Sequence, residues 1–421
     1  MNLAVIGLGK LGLPLAALLA NSTNDVFAYD SSEAVRVNLR NQKTTFTEPG
    51  LDELLQDSSS SLHICNSIVE TVSQADIVFI IVPTPSEESG RFTNRFVLDA
   101  VNEIGRAIRG HGKKIVIDIV STVMPGSCEG EITSALENSS NRKIGENLGL
   151  CYNPEFIALG SVIHDMEYPD MHLIGQSSDW AGQMVEAALK TIVKREVPVR
   201  RMSLTEAELV KIAVNNFVTM KISYANLLYQ AALTLGNVNI DTITNAIGLD
   251  SRVGMKYLKA AAPYGGPCFP RDTRALSYMY QEIGLSDSLS SATNVANLNH
   301  IEFIGNYVKG RIAGTDKVGI VGISYKPGTK VTEESPGVAI GKKIEKLGHE
   351  VVYWDDEAAV VEPEQNSWTR KLTLEEFLLD ADFILVARPI KDISKLYGLL
   401  EISGKPFLDL WRQKNQVPNI T

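Results

Sequence analysis

Cysteine is scarce in this chain, and the little there is falls into no framework. Cys65, Cys128, Cys151 and Cys268 are the only four in 421 residues. None forms a C-x-x-C pair and their spacing suits no disulfide scaffold, which excludes a small stapled fold. A reducing, cytoplasmic compartment and no bound metal are expected. Positive charge is in deficit. Lys and Arg number 40 against 50 Asp and Glu, a net charge of −10. No nucleic-acid partner held by a broad basic face is expected, and an anionic substrate must be caught by local cations. Long unbroken apolar runs are also missing. The most apolar stretch, Leu3 to Ala20, is interrupted by Lys10, three glycines and Pro14. It reads as a buried strand, turn and helix and not as a signal segment or membrane span, so no membrane partner is expected.

The chain is long enough for two to three domains and a sizeable core, and 44% hydrophobic with 21% charged residues is an ordinary globular balance. Leu3–Ile6, Val26–Tyr29, Ala75–Val82 and Ile115–Val120 are short apolar runs of the kind that form parallel strands buried on both faces. Helical stretches alternate with them, which predicts a doubly wound α/β sheet. From Ser203 to about Leu235 there is neither proline nor glycine. Ser203-x-x-Glu206 reads as a capping box and Gly236 as a stop, so one long helix is expected, with more helix to about Asn299. Strand signals return at Val318–Ile323, Glu350–Trp354 and Ala381–Ala387, with a helix near Val338–Leu347. Ala381-Asp-Phe-Ile-Leu-Val echoes Ala75-Asp-Ile-Val-Phe-Ile, a weak internal repeat. Two Rossmann-like domains, 1–198 and 301–421, therefore flank a central helical region, 199–300. The long helix is too apolar to be covered by a short segment of one chain, which predicts a homodimer.

Gly7-Leu-Gly9-Lys-Leu11-Gly12 fits G-x-G-x-x-G, follows a strand and opens a helix, and Asp30 lies 18 residues after Gly12 at the end of the next strand. Glycines there allow a tight turn and close approach of a pyrophosphate to a helix N-terminus, with Leu11 in the same loop. Asp30 suits an adenosine ribose and repels a 2′-phosphate, so the cofactor predicted is NAD. Val82-Pro-Thr84-Pro85 follows a strand on the ligand edge and reads either as a cofactor contact or as a rigid turn. Ser121-Thr122 follows another, as a hydroxyl facing the nicotinamide or as a helix cap.

Pro263-Tyr-Gly265-Gly-Pro-Cys268-Phe-Pro-Arg-Asp272 is the sharpest segment. Its prolines fix the backbone and its glycines are expected to let a ligand approach, leaving Cys268 either a nucleophile or a buried, inert thiol. Lys211 and Asn215 lie four apart on one face of the long helix. Lys211 either snorkels to solvent or, with Asn215, donates to a developing oxyanion. Glu155, in Asn153-Pro-Glu-Phe156, is a candidate general base or a solvated turn carboxylate.

Taken together and in order, these segments, with Thr45-Phe-Thr-Glu-Pro-Gly-Leu51 and Ser324-Tyr-Lys326, resemble the UDP-glucose/GDP-mannose dehydrogenase family over essentially the whole length. The resemblance implies that Cys268 attacks an aldehyde, Lys211 and Asn215 steady the oxyanion, Glu155 aids thioester hydrolysis and Asp272 helps proton transfer. Thr122 matches a family threonine. It further implies that Arg252 reaches the substrate of a neighbouring subunit, that Phe156 packs near the sugar, and that Gly265, Tyr257, Lys259 and Lys326 contact the nucleotide-sugar. The last domain would bind UDP. The implied reaction is a four-electron oxidation of a C6 alcohol to a carboxylate. UDP-glucose is the expected substrate and UDP-glucuronate, for polysaccharide synthesis, the product. GDP-mannose and a UDP-N-acetylhexosamine are the alternative substrates. An NAD-responsive binding protein without turnover and a two-electron 3-hydroxyacid dehydrogenase are the alternatives of other kinds. Three positions depart from the family pattern: Glu333 replaces a cofactor-associated arginine, Leu159 a common glutamate, and Arg271 a common lysine.

Overall fold

The computed structural model describes residues 1–22, 24–314, 316–358, 369–370 and 373–413. They fall into two units, Met1–Ala213 and Val214–Thr421. In the first, β1 (Asn2–Ile6), β2 (Asp25–Tyr29), β3 (Leu62–Ile64), β4 (Ile77–Ile80), β5 (Ile115–Ile119), β6 (Leu148–Tyr152), β7 (His172–Gln176) and β8 (Val199–Met202) form one sheet. Its order is β3-β2-β1-β4-β5-β6-β7-β8. β4, β5 and β6 are buried throughout, as expected where both faces are covered. Helix α1 (Gly12–Ala20) is buried all round, which is why the N-terminal stretch looks uniformly apolar.

One pairing differs from the parallel sheet expected. β6 and β7 run antiparallel, with Cys151 opposite Gln176. An antiparallel neighbour needs no crossover helix. The connection can therefore begin and end on the edge where β6 stops, and it is there that Asn153–Phe156 lies.

Helix α2 spans Leu204–Leu235. Its N-terminus carries the expected reciprocal cap. The Glu206 carboxylate accepts from Ser203 N and Oγ, both at 2.8 Å, and Glu206 N donates to Ser203 Oγ at 3.3 Å. Gly236, at φ +65°, ends the helix in the left-handed region.

The second unit contains α3 (Phe269–Glu282), α4 (Leu289–Lys309), β9 (Val318–Val321), α5 (Pro336–Lys346), β10 (Val351–Trp354), β11 (Thr369–Arg370), β12 (Phe383–Val386) and β13 (Phe407–Asp409). The sheet order is β11-β10-β9-β12-β13, all parallel. Helix α4 runs past residue 300 because Ile304 and Val308 belong to the same core as Val318, Ile320 and Ile344. Ala225, Tyr229 and Ala232, in the last turns of α2, join that core too.

The internal repeat is structural. Gly7 (φ +96°) and Gly322 (φ +100°) open equivalent turns. Each donates its N–H at 2.8 Å to the last carbonyl of the neighbouring strand, Tyr29 or Trp354. The next residue, Leu8 or Ile323, donates to a strand-end aspartate, Asp30 or Asp355, again at 2.8 Å. In the second unit that aspartate is occupied by Arg388, at 2.7 and 3.2 Å. Burial works to raise the Asp355 carboxyl, but Arg388 and the N–H donors outweigh it and hold it at about 2.

Among the described residues no helix is long and apolar enough to cross a membrane. None of their His, Cys, Asp and Glu side chains form a group able to hold a metal ion.

Candidate active site

The first unit holds a cleft of about 660 Å³ lined by Gly7, Gly9, Leu11, Gly12, Asp30, Val82 and Pro83 among others. The three glycines there have different reasons. A Cβ on Gly7 would meet the Ile81 carbonyl at 2.1 Å, and one on Gly12 would meet the Gly7 carbonyl at 1.9 Å, so both are packed against their own fold. A Cβ on Gly9 would meet nothing within 4 Å. Only there is the small residue open to a ligand, which suits a pyrophosphate. The Asp30 carboxylate accepts from Leu8 N at 2.8 Å and Ser32 N at 2.9 Å, which fixes it for a ribose. Sequence reasoning missed Arg36, whose guanidinium donates to the Asp30 and Ser31 carbonyls at 2.6 and 3.2 Å. The donor set fits NAD, which supplies a hydride acceptor when bound.

Thr84 does not line this cleft. It is buried, and its hydroxyl donates to the Thr122 carbonyl at 2.7 Å. Ser121 is not a helix cap either. Its hydroxyl accepts from Val82 N at 2.8 Å and donates to Val82 O at 2.7 Å. Both hydroxyls bind the turn after β4 to the turn after β5, and they place Thr122 on the ligand edge.

Glu155, Phe156 and Lys211 come together in this unit. Lys211 is 8% exposed and donates to the Glu155 carbonyl at 2.5 Å, with its Nζ 4.7 Å from the Phe156 ring centre. The lysine therefore does not snorkel to solvent. Glu155 is half-buried, and burial pushes it up to about 7, against the Lys211 cation, which lowers it. The Thr-Glu-Pro-Gly motif supports this loop, since the buried Glu48 carboxylate accepts from Gly160 N at 2.9 Å and Val162 N at 2.7 Å.

Cys268, Asn215 and Asp272 come together in the second unit. Cys268 is exposed, whereas Cys65, Cys128 and Cys151 are buried, and burial pushes those three thiols up. Cys268 is the N-cap of α3, where the helix dipole favours negative charge. Its carbonyl accepts from Asp272 N at 2.8 Å. The wholly buried Asp272 carboxylate accepts from Asn215 Nδ2 at 2.6 Å and Arg271 Nε at 3.2 Å. The glycines before Cys268 are packed against their own fold on the side where a Cβ would stand. A Cβ on Gly265 would meet the Glu334 carbonyl at 2.2 Å, and one on Gly266 (φ +81°) the Tyr325 ring at 2.4 Å. They let the cysteine loop seat against residues 325–336, in the segment that departs from the family pattern. Tyr257, at φ +64°, stands edge-on to Phe269 with ring centres 6.5 Å apart. Lys259 is exposed and Lys326 half-buried. Arg252 is exposed and paired with Asp250 at 2.6 Å.

Two buried carboxyls escaped sequence reasoning. Glu208 is held by main-chain donors of the turn after β5. Asp118, inside β5, has no hydrogen-bond partner on either oxygen among the described residues. Burial, then the nearby Glu155, pushes it well above the usual carboxylate range. A single acid in Ile-Val-Ile-Asp-Ile was the readable signal.

Three profiles of the UDP-glucose/GDP-mannose dehydrogenase family match this chain: its NAD-binding domain over residues 1–193, its central domain over 205–299 and its UDP-binding domain over 319–413. A GDP-mannose 6-dehydrogenase of Pseudomonas aeruginosa is 28% identical, over 84% of this chain and 81% of its own length. A UDP-glucose 6-dehydrogenase of the same organism is 30% identical, over 81% and 75%. The solved structure of a UDP-glucose dehydrogenase from Pyrobaculum islandicum superposes with a TM-score of 0.87 at 30% identity, covering 97% of this chain and 94% of that one.

Proposed function

The chain belongs to the UDP-glucose/GDP-mannose dehydrogenase family, and from that premise we propose that it oxidises UDP-glucose to UDP-glucuronate with two molecules of NAD. The observation that carries the covalent route is Cys268, the exposed N-cap of α3, braced through Asp272 by Asn215. Oxidation of the C6 alcohol yields an aldehyde. The Cys268 thiolate adds to its carbonyl carbon, giving a thiohemiacetal whose oxyanion Asn215 and Lys211 stabilise. Loss of hydride from that carbon leaves a thioester on Cys268. Water, deprotonated by Glu155, attacks the acyl carbon, the C–S bond breaks, and the thiolate is restored. Alcohol, two NAD and one water thus become carboxylate, two NADH and three protons.

UDP-glucose is preferred over the alternatives on the motifs around Glu48, Glu155 and Tyr257, and on a last domain that matches a UDP-binding profile. The exposed Tyr257 ring can pack on a base, and Lys259 can meet a diphosphate. The structural likeness to a UDP-glucose dehydrogenase supports the same choice. The intact set of Cys268, Asn215, Asp272, Lys211 and Glu155 favours turnover over a binding role alone. We further propose a cytoplasmic homodimer. On α2, Phe217, Tyr224 and Leu227 are 59%, 50% and 56% exposed, a stripe that a second copy would cover. Arg252 would then complete the partner's site.

The test compares kcat/KM for UDP-glucose, GDP-mannose and UDP-N-acetylglucosamine, with NADH counted per sugar consumed. Two NADH per UDP-glucose, and at least tenfold preference for it, are expected. Better use of either alternative overturns the sugar assignment.

A further inference from the structure

We propose that Glu208 is a positioning residue for the nicotinamide end of the cofactor, its carboxylate locking the turn after β5 to the start of α2. In a sheet of this order the dinucleotide straddles β1 and β4, where the strand order reverses. Asp30, at the end of β2, takes the adenosine side. The other half must lie over the ends of β4 and β5, on Val82–Pro85 and Ser121–Thr122.

The near end of the β5 turn is tied to β4 by Ser121 and Thr84, as described. Its far end is tied to α2 by Glu208, while Asn94, before the helix that follows β4, donates its side-chain amide to Ser127 Oγ at 2.8 Å. Gly126 N donates to one carboxylate oxygen at 2.6 Å and Cys128 N to the other at 2.8 Å, across 82 and 80 residues of sequence. Gly126 sits at φ +89°, which orients its N–H toward the carboxylate. Glu208 is wholly buried. Removing one oxygen therefore leaves a buried donor unpaired without solvent to replace it.

The other end of the link matters as much. Lys211 follows Glu208 by three residues on the same helix and holds the Glu155 carbonyl at 2.5 Å. Two consecutive polar positions on one helical face thus fix both loops of the first unit, 121–128 and 153–156. A carboxylate is required at 208 because every group it meets is a donor: the Cys128 thiol and the N–H groups of Cys128 and Gly126. A glutamine offers one acceptor and presents an amide N–H to the other donor. Burial pushes Glu208 up to about 7, against those donors, which lower it.

The catalytic consequence rests on the reaction proposed above. The test reads cofactor binding alone, so an error in the sugar or the thioester step leaves it intact. NADH and ADP-ribose are titrated against the wild-type chain and Glu208→Gln, with thermal melting of each. ADP-ribose shares the adenosine and diphosphate contacts but lacks nicotinamide. The Gln variant is expected to weaken NADH about tenfold or more and ADP-ribose less than twofold, the effect of one lost charged hydrogen bond expressed at one end of the ligand. Should that variant not fold, Glu208→Asp, which keeps the charge and shortens the reach, is expected to show the same split. Equal weakening of both ligands would mean a general structural role, and unchanged binding of both would mean no role. Either result overturns the proposal.

Discussion

Asn215 on α2 donates its side-chain amide to the buried Asp272 carboxylate at 2.6 Å, and Asp272 returns its main-chain N–H to the carbonyl of Cys268 at 2.8 Å. The first turn of α3, with the cysteine at its head, is thereby pinned to α2. Asn216 adds a second tie, from its amide to the Asp272 carbonyl at 3.0 Å. Replacing Asn215 by Ala leaves a carboxylate oxygen unpaired in the core. It should lower stability by about 1–3 kcal/mol and kcat by about a hundredfold. Asn215→Asp, which sets two carboxylates against each other, should do worse on both. A melting temperature and kcat near wild type in Asn215→Asp would refute this brace.

The glycines of the cofactor loop separate fold from binding. Gly7→Ala forces a Cβ into the Ile81 carbonyl, 2.1 Å away, at φ +96°. It should destabilise the first unit by about 1–3 kcal/mol. Gly9→Ala meets nothing within 4 Å and should melt like wild type, yet bind NADH at least about tenfold more weakly because the pyrophosphate is held off. Calorimetry with NADH titration distinguishes the two; a Gly9→Ala protein with normal affinity would move the pyrophosphate elsewhere.

Asp118 should be a drain on stability at neutral pH. Its folded value is raised above the usual one, so the native state holds a proton that the unfolded chain has released. Stability therefore falls as pH rises from about 4 toward the folded value. Asp118→Val, which keeps the bulk and removes the charge, should melt higher than wild type at pH 8. The gain should shrink toward pH 4. Urea unfolding at both pH values measures it, and a variant less stable than wild type at pH 8 contradicts it.

Glu155 sets a limb in the pH–rate profile. As the proposed base it would work when deprotonated, and burial has pushed it up to about 7. Acid formation should fall about tenfold per pH unit below that value. Lys211→Met removes the cation that lowers Glu155, so its residual activity should show the limb displaced to higher pH. A limb left in place when Glu155 is replaced by Gln would assign it to another group.

Much of this was legible in the sequence, for identifiable reasons. The runs at Leu3–Ile6, Ala75–Val82 and Val318–Ile323 are apolar without alternation because their strands are buried on both faces, and that predicts a parallel sheet directly. The capping box at Ser203 and the stop at Gly236 bound α2 to within a residue. Lys211 and Asn215, read from their spacing as neighbours on one helix face, have different partners, Lys211 the Glu155 carbonyl and Asn215 the Asp272 carboxylate, which spacing along a helix does not specify. The reversed direction of β7 was invisible, since strand direction is set by where a connection returns and not by composition. The packing role of Gly265 and Gly266 was invisible for a related reason: a glycine signals close approach but not by what, and here a Cβ would meet Glu334 and Tyr325. Glu208 passed as one more charge on a capped helix, because the main-chain donors it meets carry no sequence signature.

Covalent catalysis at Cys268 is the centre of the account, and intact-mass spectrometry tests it most directly. Glu155→Gln is mixed with UDP-glucose and NAD, quenched in acid and weighed, with peptide mapping of the adduct. The expected result is a mass increase equal to the UDP-glucuronyl group, located on Cys268 and absent from Cys268→Ala. No adduct in Glu155→Gln, together with two NADH per sugar at wild-type rate in Cys268→Ala, would contradict it.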